Sequence, residues 1–352
     1  MKLQKNYYLL VLVLLVIPYL AKAVETKYSM EIWNRLSMID DGSDADASTS
    51  FSVERAYLRI EPKFTDNIKG RFNLDFFSSD KDADANGVGV KLKYAYLDFK
   101  NIIPLPKSKL SVGLVKNYFG TIYSWKYETI QKDPSDKWKF ASSTDYGVVL
   151  SGAVPVAKLN YNLGLYNGEG YKKSGDSVNN EFAFLANVRV KPIDMLEFGG
   201  TLSLNSKNNP NNEAGEENEE HQAITTFAGM TKLNVKEFSL LAQYIGKTVE
   251  EDNLTDSEDV SSNVISIMPM YNIKSLTNIN LELVGRYDIY DPNSDNDDDG
   301  KTLALLGANY HFAKGLQLQA NYQIISHEDD DEDDISEFML QLRWKFSSVM
   351  SN

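Results

Sequence analysis

Leu316-Gln317-Leu318-Gln319-Ala320-Asn321-Tyr322-Gln323-Ile324 decides the fold: every even position is apolar or aromatic and every odd one is an amide. A period of two marks a strand with two unlike faces. Phe338-Met339-Leu340-Gln341-Leu342-Arg343-Trp344-Lys345-Phe346 repeats the pattern, with a greasy even face opposite Gln341, Arg343 and Lys345. Soluble sandwiches also alternate. A membrane barrel adds tilted segments of about ten residues, aromatic girdles at the strand ends, and turns that are alternately short and long.

Working back from that stretch, the chain yields sixteen such segments joined by seven short connections alternating with eight longer ones. The clearest are 55–60, 71–76, 159–167, 302–312 and the two above; the weakest is the first, over 28–38, where Asn34 interrupts the apolar face and Trp33 falls off it. Tight turns sit at Val154-Pro155-Val156-Ala157, at Pro192, at Val235-Lys236, at Lys274-Ser275 and at Ala313-Lys314-Gly315. An even strand count with both ends on the short-turn side predicts an all-β fold: a transmembrane antiparallel β-barrel of about 16 strands, with short periplasmic turns and long acidic extracellular loops. Tyr310, Phe312, Tyr322, Trp344 and Phe346 are then expected to face lipid, a placement a soluble sheet has no use for.

The N-terminal segment agrees with export. Lys2 and Lys5 precede the apolar run Leu9 to Ile17 and the small-residue site Ala21-Lys22-Ala23, which predicts a signal peptide over 1–23 and a single barrel domain over 24–352. Without the three lysines of 1–23 the charge is 33 cations against 50 acids, a balance that argues against nucleic acid as a partner. There is no cysteine, hence no disulfide and no thiolate chemistry. After Val24 no run of eighteen apolar residues occurs, so a membrane-integral chain must close as a barrel to satisfy its backbone in lipid.

Several segments resemble the phosphate-selective porin O and P family of bacterial outer-membrane channels. They are Val115-Lys116-Asn117-Tyr118-Phe119-Gly120, Gly147-Val148-Val149-Leu150-Ser151-Gly152, Leu165-Tyr166-Asn167-Gly168-Glu169-Gly170, Gly285-Arg286-Tyr287-Asp288, Leu306-Gly307-Ala308-Asn309-Tyr310 and the terminal Leu340 to Phe346, and they occur in the family's order. The resemblance implies a homotrimeric porin in the bacterial outer membrane whose third loop folds into the lumen, with arginines and lysines selecting small anions such as phosphate. Lys116 matches the family's basic position just before that loop. The chain departs from the pattern in its acidic loops and in the six residues that follow Phe346.

A channel needs a polar lumen, a constriction and a field, and no catalyst or cofactor. Arg55, Arg59, Arg71, Arg189, Arg286, Arg343 and Lys345 fall on inward faces, because a cation facing lipid at the bilayer midplane costs about 2–4 kcal/mol. Asp75, Glu197, Glu282, Asp288 and Glu337 fall inward with them. Such charges either form a ladder for anions or pair across strands and merely fill a wet interior. The aromatic and lysine-rich gap 118–145 is the constriction candidate, carrying Lys126, Lys132, Lys137 and Lys139 balanced by four acids. Six other loops, 39–50, 78–87, 206–221, 248–262, 290–300 and 327–336, hold 30 acids against two lysines. Asp295, Asp297 and Asp299 open like a calcium loop, but Leu306 stands where its closing glutamate belongs, so the metal candidate is weak. An outer-membrane hydrolase is the alternative class, yet His221, His311 and His327 have no nucleophile at a telling spacing. A structural barrel or adhesin is a third, and sixteen strands leave an aqueous channel unless something plugs it. The expected function is passive diffusion of small hydrophilic solutes, mildly anion-selective if the inward arginines prevail and non-selective or cation-preferring if the acidic loops do.

Overall fold

The computed structural model describes residues 24–42, 47–78, 87–173, 178–179, 181–208, 221–250 and 259–350. The segment 1–23, expected as a signal peptide, lies outside them, as do many acids of the long loops and the last two residues of the expected barrel domain. The strands are β1 (Glu25–Asp40), β2 (Ser48–Lys63), β3 (Ile68–Ser78), β4 (Val88–Lys100), β5 (Lys109–Lys116), β6 (Thr144–Val154), β7 (Leu159–Tyr166) and β8 (Ala183–Ile193). They continue as β9 (Leu196–Asn208), β10 (His221–Val235), β11 (Phe238–Val249), β12 (Val260–Asn272), β13 (Leu281–Asp291), β14 (Lys301–Ala313), β15 (Leu316–His327) and β16 (Ile335–Met350). Each pairs antiparallel with its neighbours in sequence, and β16 closes on β1 to complete a sixteen-stranded barrel.

Alternation sets the two surfaces. On β15, Gln319, Asn321 and Gln323 are buried inside the barrel, whereas Tyr322 between them is half-exposed on the outside. Leu306, 74 % exposed, and Tyr287, Ile289, Leu342 and Phe346 extend the outer apolar surface. At its short-turn end the belt carries aromatic pairs, Tyr310 edge-on to Phe312 at 4.7 Å and Trp344 stacked on Phe346 at 6.1 Å, as an interfacial girdle requires. A surface so apolar would be costly in water and is at home in lipid.

The inner face is less uniformly polar than the alternation alone predicts. Val149, Leu185, Ile245, Val264, Leu303 and Leu305 point inward and are fully buried, and Met230, Leu241, Met268 and Met270 form a second inward patch. These strips are dry because a loop covers them. Two β-bulges add side chains to the opposite wall: Glu54 is the unpaired extra residue where β2 meets β1, and Lys93 is the extra residue where β4 meets β3. A bulge breaks the period of two. Lys91 and Lys93 therefore share the inner face with Tyr94, Tyr96 and Asp98 on one strand.

Candidate functional site

The chain between β5 and β6, residues 117–143, folds into the lumen, as the resemblance implies for the third loop. It turns inward at Gly120, whose φ of +46° suits glycine. There the wall takes hold from two sides, Thr201 accepting from the Gly120 N–H at 3.2 Å and Arg189 donating to its carbonyl at 2.7 Å. Phe119, Ile122, Trp138 and Phe140 then bury themselves on the apolar strip of β6, β8, β11, β12 and β14, each burial contributing roughly 2 kcal/mol. Trp125 packs on the methionine patch.

Polar groups of the wall pair with the loop's backbone. Gln319 donates to the Tyr127 carbonyl at 2.9 Å, Asn309 to the Glu128 carbonyl at 2.7 Å, Arg343 to the Lys126 carbonyl at 2.7 Å, and Asn321 accepts from the Ile130 N–H at 2.6 Å. The amides that alternate so regularly along β15 thus satisfy a loop that has no ladder of its own. Farther along, Asp133 caps the single helical turn Pro134–Lys137 by accepting from the Ser135 N–H at 2.9 Å, and it also bonds Thr121. Burial raises the carboxyls of both Asp133 and Glu128 above their ordinary range, and it lowers the Lys137 ammonium.

The expected inward charges do lie on the inner face, but they divide into two groups. Arg286 and Asp288 make a fully buried two-pronged pair, at 2.9 and 2.6 Å. Arg286 also holds the Lys132 carbonyl at 2.5 Å, and Asp288 accepts from the Trp138 indole at 2.8 Å. Arg189 pairs with Glu197 at 3.2 Å and Arg343 with Glu31 at 2.6 Å. Glu282 accepts from Asn309 at 3.1 Å, and Glu337 from Gln323 at 2.8 Å. These groups anchor the loop or the wall, so they do not belong to a free ladder.

The second group lies on β2 to β5. Arg55 is sandwiched among the rings of Trp33, Tyr57 and Tyr127 and sits 3.6 Å from Asp75. Arg59 bonds Asn73 at 3.1 Å and enters no ion pair among the described residues. Arg71 lies 4.7 Å over the Tyr94 ring, and its nearest acid, Glu61, is 3.9 Å away. Lys116 has no hydrogen-bond partner for its ammonium among the described residues and lies within electrostatic reach of Arg71, Lys109 and Arg59. The bulge adds Lys91, over the Phe77 ring at 3.8 Å, and Lys93, bonded to Ser143 of the loop. The result is an arc of seven cations, Arg55, Arg59, Arg71, Lys91, Lys93, Lys109 and Lys116, with four acids, Glu54, Glu61, Asp75 and Asp98, of which Glu54 pairs with Arg35 of β1 at 3.1 Å.

The loop lysines are divided between two faces: Lys126 lines a cavity of about 410 Å³ with His311, Arg343 and Lys345 on the short-turn side, whereas Lys139 lines another of about 380 Å³ on the long-loop side. Lys132 is exposed beside them and Lys137 covers Trp138 at 5.3 Å. A loop that crosses the lumen has two faces, and its charges are shared between them. Asp295 and Asp297 are exposed, Asp299 is half-buried, and no group of three possible ligands converges among the described residues. His327 contacts the Asp333 carbonyl at 2.9 Å and Glu332 at 3.4 Å in its own loop, with no nucleophile among these partners. Lys91, Lys93, Lys109 and Tyr96 were not legible as pore groups. The alternation on β4 changes phase at the bulge, and only the pairing with β3 reveals where.

No family model and no curated protein sequence matches the chain. Solved structures do match. The outer membrane channel DcaP of Acinetobacter baumannii superimposes with a TM-score of 0.67 at 11 % identity, over 93 % of this chain and 98 % of that one. An anion-selective porin from Comamonas acidovorans gives 0.65 at 12 %, over 92 % and 100 %. The trimer form of OmpT, an outer membrane protein of Vibrio cholerae, gives 0.62 at 15 %, again over 92 % and 100 %. With the closed sixteen-stranded barrel, its outer apolar belt and its inserted loop, the fold of the chain is that of the porins of bacterial outer membranes.

Proposed function

We propose that the protein is an outer-membrane porin through which small hydrophilic solutes diffuse passively, with a mild preference for anions. The observation that carries this reading is the uneven division of lumenal charge. The inserted loop is secured to the β8–β16 side by groups whose charges are already matched, while in the cationic arc on β2 to β5 Arg59, Arg71 and Lys116 keep donors unspent. Fixed cations in a narrow, partly desolvated passage act on permeating ions more strongly than charges in a wide wet mouth. The similarity to a porin described as anion-selective agrees with this preference without extending to phosphate. The acidic long loops favour a second reading, a non-selective or cation-preferring general porin, because they repel anions at the mouth over a range of about 8–10 Å in physiological salt.

We also propose a homotrimer, the form described for the similar V. cholerae protein. Purified protein added to a planar bilayer should open stepwise, ohmic conductances, and proteoliposomes should swell with small sugars. A folded protein that gives neither is a closed structural barrel or an adhesin. Detergent-corrected light scattering should give the mass of three chains, and a monomer mass rules out the trimer.

A further inference from the structure

We propose that the short-turn rim is a collar that binds the anionic phospholipid headgroups of the adjoining leaflet. Six of the seven short turns present an exposed lysine next to an exposed apolar side chain. Lys107 follows Leu105, Lys158 follows Val156, which is 97 % exposed, and Lys314 follows Phe312. Lys191, Lys236 and Lys274 repeat the arrangement at three further turns. None of the six enters an ion pair among the described residues, and Lys158 gives one hydrogen bond to the Pro192 carbonyl at 3.2 Å.

Several acids at this end have cations beside them: Asp98 stands by Lys109, Glu197 by Arg189, Glu25 and Asp66 share Lys63, and Glu61 lies 3.9 Å from Arg71. That leaves Asp194 and Glu237 in these turns against the six lysines. Among the described residues, six of the long loops at the other end hold 16 acids and one lysine, so charge is divided along the barrel axis.

An apolar side chain beside a lysine at the end of a lipid-facing strand is suited to the boundary between acyl chains and headgroups. The apolar group enters the boundary while the lysine stem lies along it and places its ammonium among the phosphates. A zwitterionic headgroup gives such a lysine no net attraction, whereas an anionic one does, and the attraction is screened by salt. Charge complementarity therefore selects the anionic lipid.

Trp344 offers a local probe. It is on the outer face beside this rim, stacked on Phe346, and the neighbouring Lys345 N–H donates to Gly315 in the Lys314 turn at 2.8 Å. Trp33 and Trp138 are buried inside the barrel, and Trp125 packs on the inner methionine patch. The protein is reconstituted in phosphatidylcholine vesicles containing equal fractions of brominated phosphatidylglycerol or brominated phosphatidylcholine, and Trp344 quenching is isolated by subtracting the Trp344→Phe signal. The expected result is local enrichment of phosphatidylglycerol by about fivefold, the weight of roughly one lysine at an anionic surface. The enrichment should vanish in 1 M KCl, fall in Lys314→Gln, and be lost when all six lysines become glutamine. Equal quenching by the two lipids in the unmodified protein overturns the proposal, as does a preference that survives both high salt and Lys314→Gln. Should the sixfold variant fail to assemble, the salt series and the single variant decide.

Discussion

Arg286 and Arg59 carry the same charge on the same lumenal surface, yet their neighbours give them different work. Arg286 is spent on Asp288 and the Lys132 carbonyl, and removing one partner of so buried a pair costs about 3–5 kcal/mol. Asp288→Ala should therefore release Trp138 and the loop behind it, giving a larger and noisier single-channel conductance and a lower temperature for the heat-induced gel shift. Unchanged conductance and heat stability would show that the pair is not the loop's anchor. Arg59 and Arg71 are available to a passing ion, so Arg59→Glu or Arg71→Glu should move the chloride-to-potassium permeability ratio toward cations by on the order of fivefold, even in high salt. Equal shifts from neutralising the exposed acids between Glu328 and Asp334 would place selectivity in the vestibule. Glu128 adds a pH dependence. Burial raises its carboxyl from the ordinary carboxylate value, so as the pH falls there is an interval in which Glu128 takes up its proton and loses a lumenal negative charge while the exposed loop acids are still ionised. Anion preference should rise over that interval, and less so in Glu128→Gln; a flat profile contradicts the assignment. The alternation made the inward position of these arginines legible. Which ones are matched was not, because that depends on register and on where the loop lands.

At the scale of the element, the inserted loop 117–143 and the β15 strand depend on each other. Gln319 serves the Tyr127 and Glu128 carbonyls while accepting from Gln341, and Asn309 serves Glu128. Replacing Gln319 and Asn309 together by leucine leaves buried carbonyls unpaired, at about 1–3 kcal/mol each. The expected outcome is excess open-channel noise and faster proteolysis within 117–143 in an otherwise intact barrel. A quiet channel of unchanged size would mean that the apolar contacts alone hold the loop. The strands, the turns and the inserted segment were legible because each carries a local signal: period two, Pro and Gly punctuation, and an aromatic-rich gap. The apolar strip under the loop was not, since inward leucines and valines on β8, β12 and β14 are indistinguishable in sequence from residues facing lipid. The bulges at Glu54 and Lys93 escaped for a related reason, as each consists of a single residue without a partner across the ladder.

Across the whole molecule, charge is segregated three ways: acidic long loops, a cationic arc in the lumen and a lysine-bearing short-turn rim. Salt separates their effects, because the loop field is screened in the wide mouth while the arc acts at close range. Anion preference should therefore be weak at low salt, when the loops deplete anions at the entrance, and stronger at high salt, when only the arc remains effective. The most direct measurement is the reversal potential of the reconstituted protein across a planar bilayer under a KCl gradient, at a fixed concentration ratio, at low and then at high mean salt. The account predicts a potential displaced toward that of chloride, more so at high salt. A potential displaced toward that of potassium at every salt concentration would contradict it.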